Sequence, residues 1–216
     1  LVAAYIVEKV SGRRYEDFIQ REFFEPLGME SSGYYFDDDY RSAATDLYRG
    51  DEALPYWHLP NRAAGGLHSN LDDLVQFVRF MQQPDQVARG RILDADYVRA
   101  IERPVGSYAA AAGSEVGWGA GITSFHQDGL VFYGHEGSLP GAQALVAYQP
   151  EHSAGHIVLT NSNGPALQRI HQLLASYAAN REGVHISVHS DKRGQPDPSI
   201  AGYYRTISPG SHRFRI

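Results

Sequence analysis

At Val116 the apolar residues change from a helical to a strand pattern, and they keep the strand pattern as far as Thr160. Asp128-Gly129, a pair typical of tight hairpin turns, separates two of the strand-like segments. The pattern predicts a meander of about four antiparallel strands. A glycine-rich stretch that begins with Gly117-Trp118 precedes the first strand. We assign strands to residues 123–125, 130–135, 143–148 and 156–160.

Helical patterns precede and follow these strands. A first helix has apolar residues at helical spacing and a stop at Gly12, and a second ends at Pro26. A third begins after the N-cap Ser69, with Asp72 completing a capping box. A short helix covers residues 94–102, and a last one begins with Pro165 at its first position. The apolar face of the last helix is predicted to comprise Leu167, Ile170, Leu173, Leu174 and Tyr177.

Helices followed by an antiparallel sheet and a covering helix predict the α+β fold class. Residues 30–62 have an irregular pattern and are expected to form a functional or mobile loop, and residues 109–112 a flexible one. Composition changes at residue 183. We therefore expect one domain over residues 1–182, with residues 183–216 forming a linker and the start of an appended segment.

Composition excludes several classes of protein. Apolar residues make up 43% of the 216, which predicts a buried core, and the net charge of −6 argues against a nucleic-acid partner. No apolar stretch reaches the length of a membrane span. The chain has no cysteine, and its ten histidines do not have metal-ligand spacing, so we expect neither a metal nor another cofactor.

Residues 132–141 form the most informative segment for function. They read as a strand that ends at His135 and then opens into a loop bracketed by Gly137 and Gly141. Acyl transfer needs a polar side chain and a backbone N–H beside its nucleophile, and a strand edge supplies both. Taken alone, the segment favours an ordinary hairpin end that carries a surface histidine, because one histidine and two glycines are common.

The order of several segments resembles the serine β-lactamase and penicillin-binding protein superfamily, in its class C-like branch with esterases and D-amino-acid peptidases. The resemblance covers roughly residues 1–180 and implies the β-lactamase/transpeptidase-like α+β fold. It also implies a serine hydrolase that works through an acyl-enzyme. The segments that carry the resemblance are residues 6–12, 24–29, 64–69, 117–119, 134–137 and 159–161.

The resemblance assigns the third motif of the family, Lys/His-x-Gly on the sheet edge, to His135, Glu136 and Gly137. His135 would bind the catalytic network or the substrate, Glu136 and Gly137 would border the substrate, and the backbone N–H of Ser138 would stabilise the oxyanion. Histidine in place of lysine is more typical of the esterase-like and peptidase-like members than of true β-lactamases. The middle residue of the motif departs from the family pattern, because Glu136 is a carboxylate that either repels anionic substrates or points to solvent.

The other two motifs of the family are absent from the printed sequence. Its only lysines are Lys9 and Lys192, preceded three positions earlier by Ile6 and His189, so there is no Ser-x-x-Lys. None of the 14 tyrosines is followed two positions later by Asn, so there is no Tyr-x-Asn. The helical pattern is already under way at residue 1, and we therefore expect a C-terminal portion of the catalytic domain that is inactive alone.

Two classes of function stay open at this point. The leading one is a hydrolase of an ester, amide or peptide, with a small molecule or peptide as substrate, and the alternative is a non-catalytic binding or regulatory protein with the same fold. The resemblance implies an extracytoplasmic location, periplasmic or secreted. The sequence gives no information on the oligomeric state.

Overall fold

The computed structural model describes residues 1–87 and 92–183. Helices are α1 (Val2–Ser11), α2 (Tyr15–Ile19), α3 (Glu25–Leu27), α4 (Asp38–Ala43), α5 (Arg62–Gly65), α6 (Leu71–Gln82), α7 (Pro84–Val87), α8 (Ala95–Glu102), α9 (Tyr108–Ala111) and α10 (Ala166–Arg181). Strands are β1 (Leu47–Arg49), β2 (Glu52–Leu54), β3 (Gly117–Trp118), β4 (Thr123–Gln127), β5 (Leu130–Leu139), β6 (Ala142–Gln149) and β7 (Ala154–Thr160).

The centre of the fold is a five-stranded antiparallel sheet in the order β3-β4-β5-β6-β7. The α+β prediction is confirmed, with five strands where about four were expected. Asp128 and Gly129 form the two-residue turn between β4 and β5. Their φ angles of 48° and 84° are both positive, as the common two-residue hairpin turn requires. The turn between β5 and β6 also has two residues, Pro140 and Gly141, and Gly141 has a φ of 78°.

Each face of the sheet has its own apolar core. On one face, Tyr148 packs with α6 and the N-terminal helices, and the tightly buried members there include Phe24, Met29, Phe80 and Met81. On the other face, Phe132, Leu145 and Val158 pack against α10. Alternate residues of one strand therefore belong to different layers, because successive side chains of a strand point to opposite faces.

Helix α10 presents a different face to the sheet from the one predicted. Its buried residues are Leu167, His171, Ala175 and Ala179, spaced four apart. The sheet already supplies large side chains from Phe132 and Leu145, so small alanines let the helix approach closely. Of the face predicted from the sequence, only Leu167 is buried; the exposed members are Ile170, Leu173, Leu174 and Tyr177.

The second predicted helix is a composite and does not end at Pro26. Helix α2 continues through a π-helical turn, Gln20–Phe24, into α3, which contains Pro26 in its first turn. Proline is tolerated there because the first turn of a helix needs no N–H donor. The stop comes two residues later at Gly28, whose φ of 70° few other residues adopt.

Three local predictions require correction. Helix α6 is capped by Asn70, whose side chain accepts from the N–H of Asp73, while Ser69 bonds instead to Ser32 at 2.7 Å between hydroxyl oxygens. Residues 30–62 contain α4 and the β1–β2 hairpin in place of an irregular loop. Residues 109–112 overlap helix α9, because the Ser107 side chain caps it by accepting from the N–H of Ala110.

The remaining helix predictions agree with the structure. Helix α1 ends at Gly12, with φ 69°, and α8 follows Asp94. Pro165 precedes α10 by one residue, where the sequence suggested its first position. Glu102 at the end of α8 accepts from the hydroxyl of the buried Tyr148 at 2.8 Å, which ties this helix to the sheet.

The predicted appended segment lies outside the described residues, apart from Gly183, and stays a prediction. Among residues 1–87 and 92–183, none of the helices combines the length and apolar character that crossing a membrane requires. The same residues contain no group of three or more potential ligands that could hold a metal ion.

Candidate active site at the open edge of strand β5

The third-motif segment lies within a strand, not at the end of one. Strand β5 continues through His135, Glu136 and Gly137 to Leu139, since β6 pairs with it along this whole length. His135 stands opposite Val146, and Gly137 opposite Ala144. The expected loop is reduced to the turn Pro140-Gly141, so the motif residues are held by a regular ladder of strand pairing.

Strand alternation divides the four predicted site residues between the two faces of the sheet. His135 and Gly137 lie on the α6 face, where the indole of Trp118 meets the His135 ring edge-on at 5.8 Å between centroids. Glu136 and Ser138 lie on the α10 face, and Glu136 accepts a hydrogen bond from Gln168 at 2.8 Å. The structure therefore places the Glu136 carboxylate away from His135.

The backbone N–H of Ser138 points to the open edge of β5. Its partner across the pair, Gln143, turns its carbonyl toward β7, where the hydroxyl of Thr160 donates to it at 3.4 Å. Ser138 and Gln143 therefore form a pair without mutual hydrogen bonds. Gly134 lies four residues before Ser138 in β5, so its backbone groups point in the same direction as those of Ser138. The Gly134 carbonyl points to β4, where it accepts from the Thr123 hydroxyl at 2.8 Å.

Strand β4 ends before it reaches this N–H. Its pairing with β5 extends from Leu130 only as far as Gly134, opposite Thr123. Residues 135–139 of β5 therefore extend beyond β4, and this unpaired length bears both His135 and the outward N–H of Ser138. This is the geometry in which a strand edge can present a hydrogen-bond donor to a bound carbonyl oxygen.

Two glycines of β5 serve different purposes. A Cβ on Gly134 would overlap the carbonyl oxygen of Val146, so this position must lack a side chain. A Cβ on Gly137 would meet only the Cβ of Ala144, at the ordinary contact distance of 3.9 Å. The absence of a side chain at Gly137 is therefore not required by packing within the chain, and it leaves the surface next to His135 open.

Asn163 fixes the β5–β6 turn, a role that the sequence did not reveal. Its side-chain amide donates to the carbonyls of Leu139 at 2.9 Å and Ala142 at 3.2 Å, and its oxygen accepts from the N–H of Gly141 at 2.7 Å. Asn161, in the matched segment 159–161, directly follows β7, and its carbonyl accepts from the N–H of Tyr48 at 2.9 Å.

An open cavity of about 480 Å³ adjoins the β5–β6 turn. The β1–β2 hairpin forms one wall of it, since Leu47 and Leu54 pack so closely on Gly141 that a Cβ there would lie 2.8 Å from the Cβ of Leu47. Arg49 extends from the same hairpin. The lining comprises Arg49, Ser138, Leu139, Pro140, Gln143 and Asn163. The sequence predicted a functional or mobile loop over residues 30–62 but did not single out Arg49.

Two other segments that carry the family resemblance, residues 64–69 and 117–119, have defined structural roles. Gly66, in the matched segment 64–69, makes a tight backbone turn, since a Cβ there would lie 2.9 Å from the Cα of Arg62. His68 pairs with Gly33 through backbone hydrogen bonds, and burial lowers its pKa. Trp118 is 41% exposed beside His135, whereas Tyr133 is half-buried in the α6-side core.

Comparison with known proteins agrees with the fold. The sequence profile of the beta-lactamase family matches residues 1–179. Penicillin-binding protein 4 of Amycolatopsis lactamdurans is 26% identical over 213 residues, which are 92% of this chain and 56% of that protein.

Solved structures give the same result. The octameric penicillin-binding protein homologue from Pyrococcus abyssi superposes with a TM-score of 0.61 at 26% identity, over 84% of this chain and 41% of that one. The D-amino acid amidase from Ochrobactrum anthropi SV3, complexed with L-phenylalanine amide, has a TM-score of 0.63 at 20% identity, over 84% and 56% respectively. The chain thus spans about half the length of these relatives. The profile match over most of its length shows that the chain belongs to the beta-lactamase family.

Proposed function

We propose that this chain forms one wall of the active site of a serine hydrolase that acts through an acyl-enzyme. The observation that carries the proposal is the open edge of β5, which begins beyond Gly134 and bears His135 and, three residues further on, the outward N–H of Ser138. The family relationship supports a hydrolase of the β-lactamase and penicillin-binding protein type. The substrate would be an ester, amide or peptide.

Each of the four predicted site residues would have a separate role in the reaction. The N–H of Ser138 would donate to the oxyanion, a contact worth about 3 kcal/mol of barrier where such donors have been removed. His135 would hydrogen-bond the proton-transfer network or the substrate, and Gly137 would leave space for the substrate next to it. Glu136 would border the site from the α10 face, where Gln168 holds its carboxylate.

The nucleophile would come from residues outside this sequence, since the 216 residues contain no Ser-x-x-Lys. We therefore expect the purified chain not to hydrolyse p-nitrophenyl acetate above the buffer rate. Turnover that a serine-directed inhibitor abolishes would show that one of the chain's own serines is the nucleophile, and the proposal would be wrong on this point.

The role of His135 is tested in a longer protein that contains both these residues and a Ser-x-x-Lys. His135→Ala is expected to lower kcat/KM by about 10²-fold, because a positioned proton-transfer or hydrogen-bonding group is lost. His126→Ala is the matched control, since His126 is exposed on the neighbouring strand β4. An unchanged kcat/KM for His135→Ala would reduce His135 to a surface histidine of a hairpin.

A histidine at this position favours esterase or D-amino-acid peptidase activity over β-lactamase activity. A neutral imidazole binds an anionic carboxylate less strongly than an ammonium does. We expect the longer protein to hydrolyse p-nitrophenyl acetate or a D-amino-acid amide with higher kcat/KM than nitrocefin. The opposite ranking would identify a true β-lactamase.

The second candidate function is a non-catalytic binding or regulatory protein, favoured by the lack of Ser-x-x-Lys in the 216 residues. A longer protein that contains the pocket but neither Ser-x-x-Lys nor Tyr-x-Asn would support it. We also propose an extracytoplasmic location, on the strength of the family relationship. Detection of the native protein only in the cytosolic fraction of its source cells would contradict that.

A further inference from the structure

The connection between β7 and α10 contains the pair Asn163-Gly164. The backbone nitrogen of a following residue can attack an asparagine side chain most easily when that residue is glycine, because glycine has no Cβ to block the approach. The other four asparagines of the 216 residues are followed by arginine, leucine or serine. Asn163 and Gly164 are both exposed, and a Cβ built on Gly164 would meet no atom within 4 Å. Water therefore reaches this pair.

Hydrogen bonds hold both of the groups that would react. The side-chain oxygen of Asn163 accepts from the N–H of Gly141 at 2.7 Å, and its amide donates to two carbonyls of the same turn. The N–H of Gly164, which belongs to the attacking nitrogen, donates to the side-chain oxygen of Gln143 at 2.9 Å. Attack therefore requires that these bonds first open locally.

We propose that Asn163-Gly164 is a deamidation site, and that Gln143 protects it in the folded chain. In this reaction the Gly164 nitrogen forms a bond to Cγ of Asn163, the bond from Cγ to Nδ2 breaks, and the proton of the attacking nitrogen leaves with the ammonia. One water then opens the cyclic imide, at the side-chain carbonyl to give aspartate or at the main-chain carbonyl to give isoaspartate. Water is the only co-reactant, and the site does not depend on the proposed hydrolase function.

Deamidation would release the β5–β6 turn. The product carboxylate can still accept from the N–H of Gly141, but it has no N–H to donate to the carbonyls of Leu139 and Ala142. Its negative charge would instead face those two carbonyl oxygens. Isoaspartate also adds one atom to the main chain between β7 and α10. The turn at the end of β5 therefore loses the contacts that fix it.

The first test compares the folded and the unfolded chain at mildly alkaline pH, without and with urea. Mass spectrometry of proteolytic peptides locates the mass gain at Asn163, and a synthetic peptide of residues 162–167 gives the rate of the unprotected pair. We expect the folded chain to react at least about 10-fold more slowly than the unfolded chain, because several hydrogen bonds must open first. Equal rates would overturn the protection, and an unfolded chain that does not react would overturn the site.

The second test removes the proposed protecting group. Gln143→Ala should speed deamidation of the folded chain about 5-fold, the factor by which one typical hydrogen bond shifts an equilibrium. Gln143→Glu keeps an acceptor oxygen and should remain as slow as the parent chain. Gln172→Ala, which removes an exposed glutamine of α10, is the matched control. Near-UV circular dichroism verifies that each variant is folded, and all of them should react alike in urea. A folded Gln143→Ala chain with an unchanged rate would contradict the role of Gln143.

The third test imitates the product. Asn163→Asp should speed hydrogen exchange of the Gly141 and Ala142 amide protons at least about 5-fold, because the turn loses two hydrogen bonds. Asn161→Asp makes the same chemical change two residues away, where the side chain bonds to Thr45 and Asp46, and should leave those protons unaffected. Exchange that Asn163→Asp does not change would show that deamidation leaves the turn intact, against the proposal.

Discussion

Two glycines of β5, Gly134 and Gly137, differ in whether their positions could accept a side chain, although they are only three residues apart. Gly134 lies against the backbone of β6, while a Cβ on Gly137 would meet only the Cβ of Ala144, at an ordinary contact distance. The first glycine is therefore a requirement of the sheet, and the second is available for a functional role. Within four residues of one strand, one glycine is therefore needed for folding and the other is free to serve function.

We predict that Gly134→Ala lowers the free energy of unfolding by about 3 kcal/mol, because its methyl group would overlap the Val146 carbonyl and push the two strands apart. Gly137→Ala is the control in the same strand, and its cost should stay below about 1 kcal/mol. Urea unfolding of both variants gives the comparison. Equal losses would mean that β5 and β6 are not as closely apposed as the structure shows.

At the residue scale, the sequence predicts the identity of the motif better than the direction of its side chains. The resemblance to the family, and not the pattern alone, singles out His135 and Gly137, whereas the pattern already predicts Gly141 as a loop glycine. The separation of Glu136 from His135 depends on the strand continuing past the histidine, which only the pairing partner β6 decides. Arg49 and Asn163 approach the motif from 89 residues before and 25 residues after Ser138, and one-dimensional patterns do not reveal such contacts.

Among the elements, α10 and β7 are joined by a pair of histidines. His156 Nε2 and His171 Nδ1 lie 2.7 Å apart, next to the rings of Phe132 and Phe125. Burial, with the nearby His171 as a second cause, lowers the pKa of His156 to about 4. Burial also lowers the pKa of His171, while Glu136 acts in the opposite direction.

This pair predicts a pH-dependent stability. The unfolded chain binds a proton at His156 near pH 6.5, whereas the folded chain resists it down to about pH 4, so stability falls as pH decreases through this window. The loss should be about 2 kcal/mol, allowing for partial solvent screening. His156→Gln should reduce this pH dependence in urea unfolding, and His126→Gln, at an exposed position of β4, should not. A slope that His156→Gln leaves unchanged would assign the effect to other groups.

The elements also show where sequence patterns mislead. The large residues of α10 predict one buried face, but the helix buries Leu167, His171 and two alanines instead. Helix packing depends on the shape of the surface beneath, and here the sheet surface is already filled by large side chains. The strands were easier to predict, because each one pairs with its neighbour in sequence and the turns between them are short.

On the scale of the whole molecule, two helices leave large apolar side chains in contact with water. They are Val2, Tyr5, Ile6 and Val10 of α1, and Ile170, Leu173, Leu174 and Tyr177 of α10. Exposed apolar surface of this kind marks interaction sites or promotes association. The 216 residues therefore expose apolar surface while they also contain two well-buried cores.

We predict that the 216-residue chain binds the dye 8-anilinonaphthalene-1-sulfonate (ANS) while retaining its near-UV circular dichroism, because its exposed apolar surface is native and does not arise from unfolding. Leu173→Gln should reduce the ANS fluorescence, since this side chain is 71% exposed. Gln172→Ala, at an exposed polar neighbour on the same helix, should leave it unchanged. A chain that binds no ANS would show that these side chains are covered in solution.

The strand order has a consequence for how the molecule folds. In the sequence β3-β4-β5-β6-β7 every ladder joins consecutive strands, and two of the connections are two-residue turns. Contacts between residues close in sequence form quickly, since little chain entropy is lost in closing short loops. The sheet should therefore assemble before the helices of the first hundred residues dock on it, so the edge that bears His135 would exist early on the folding pathway.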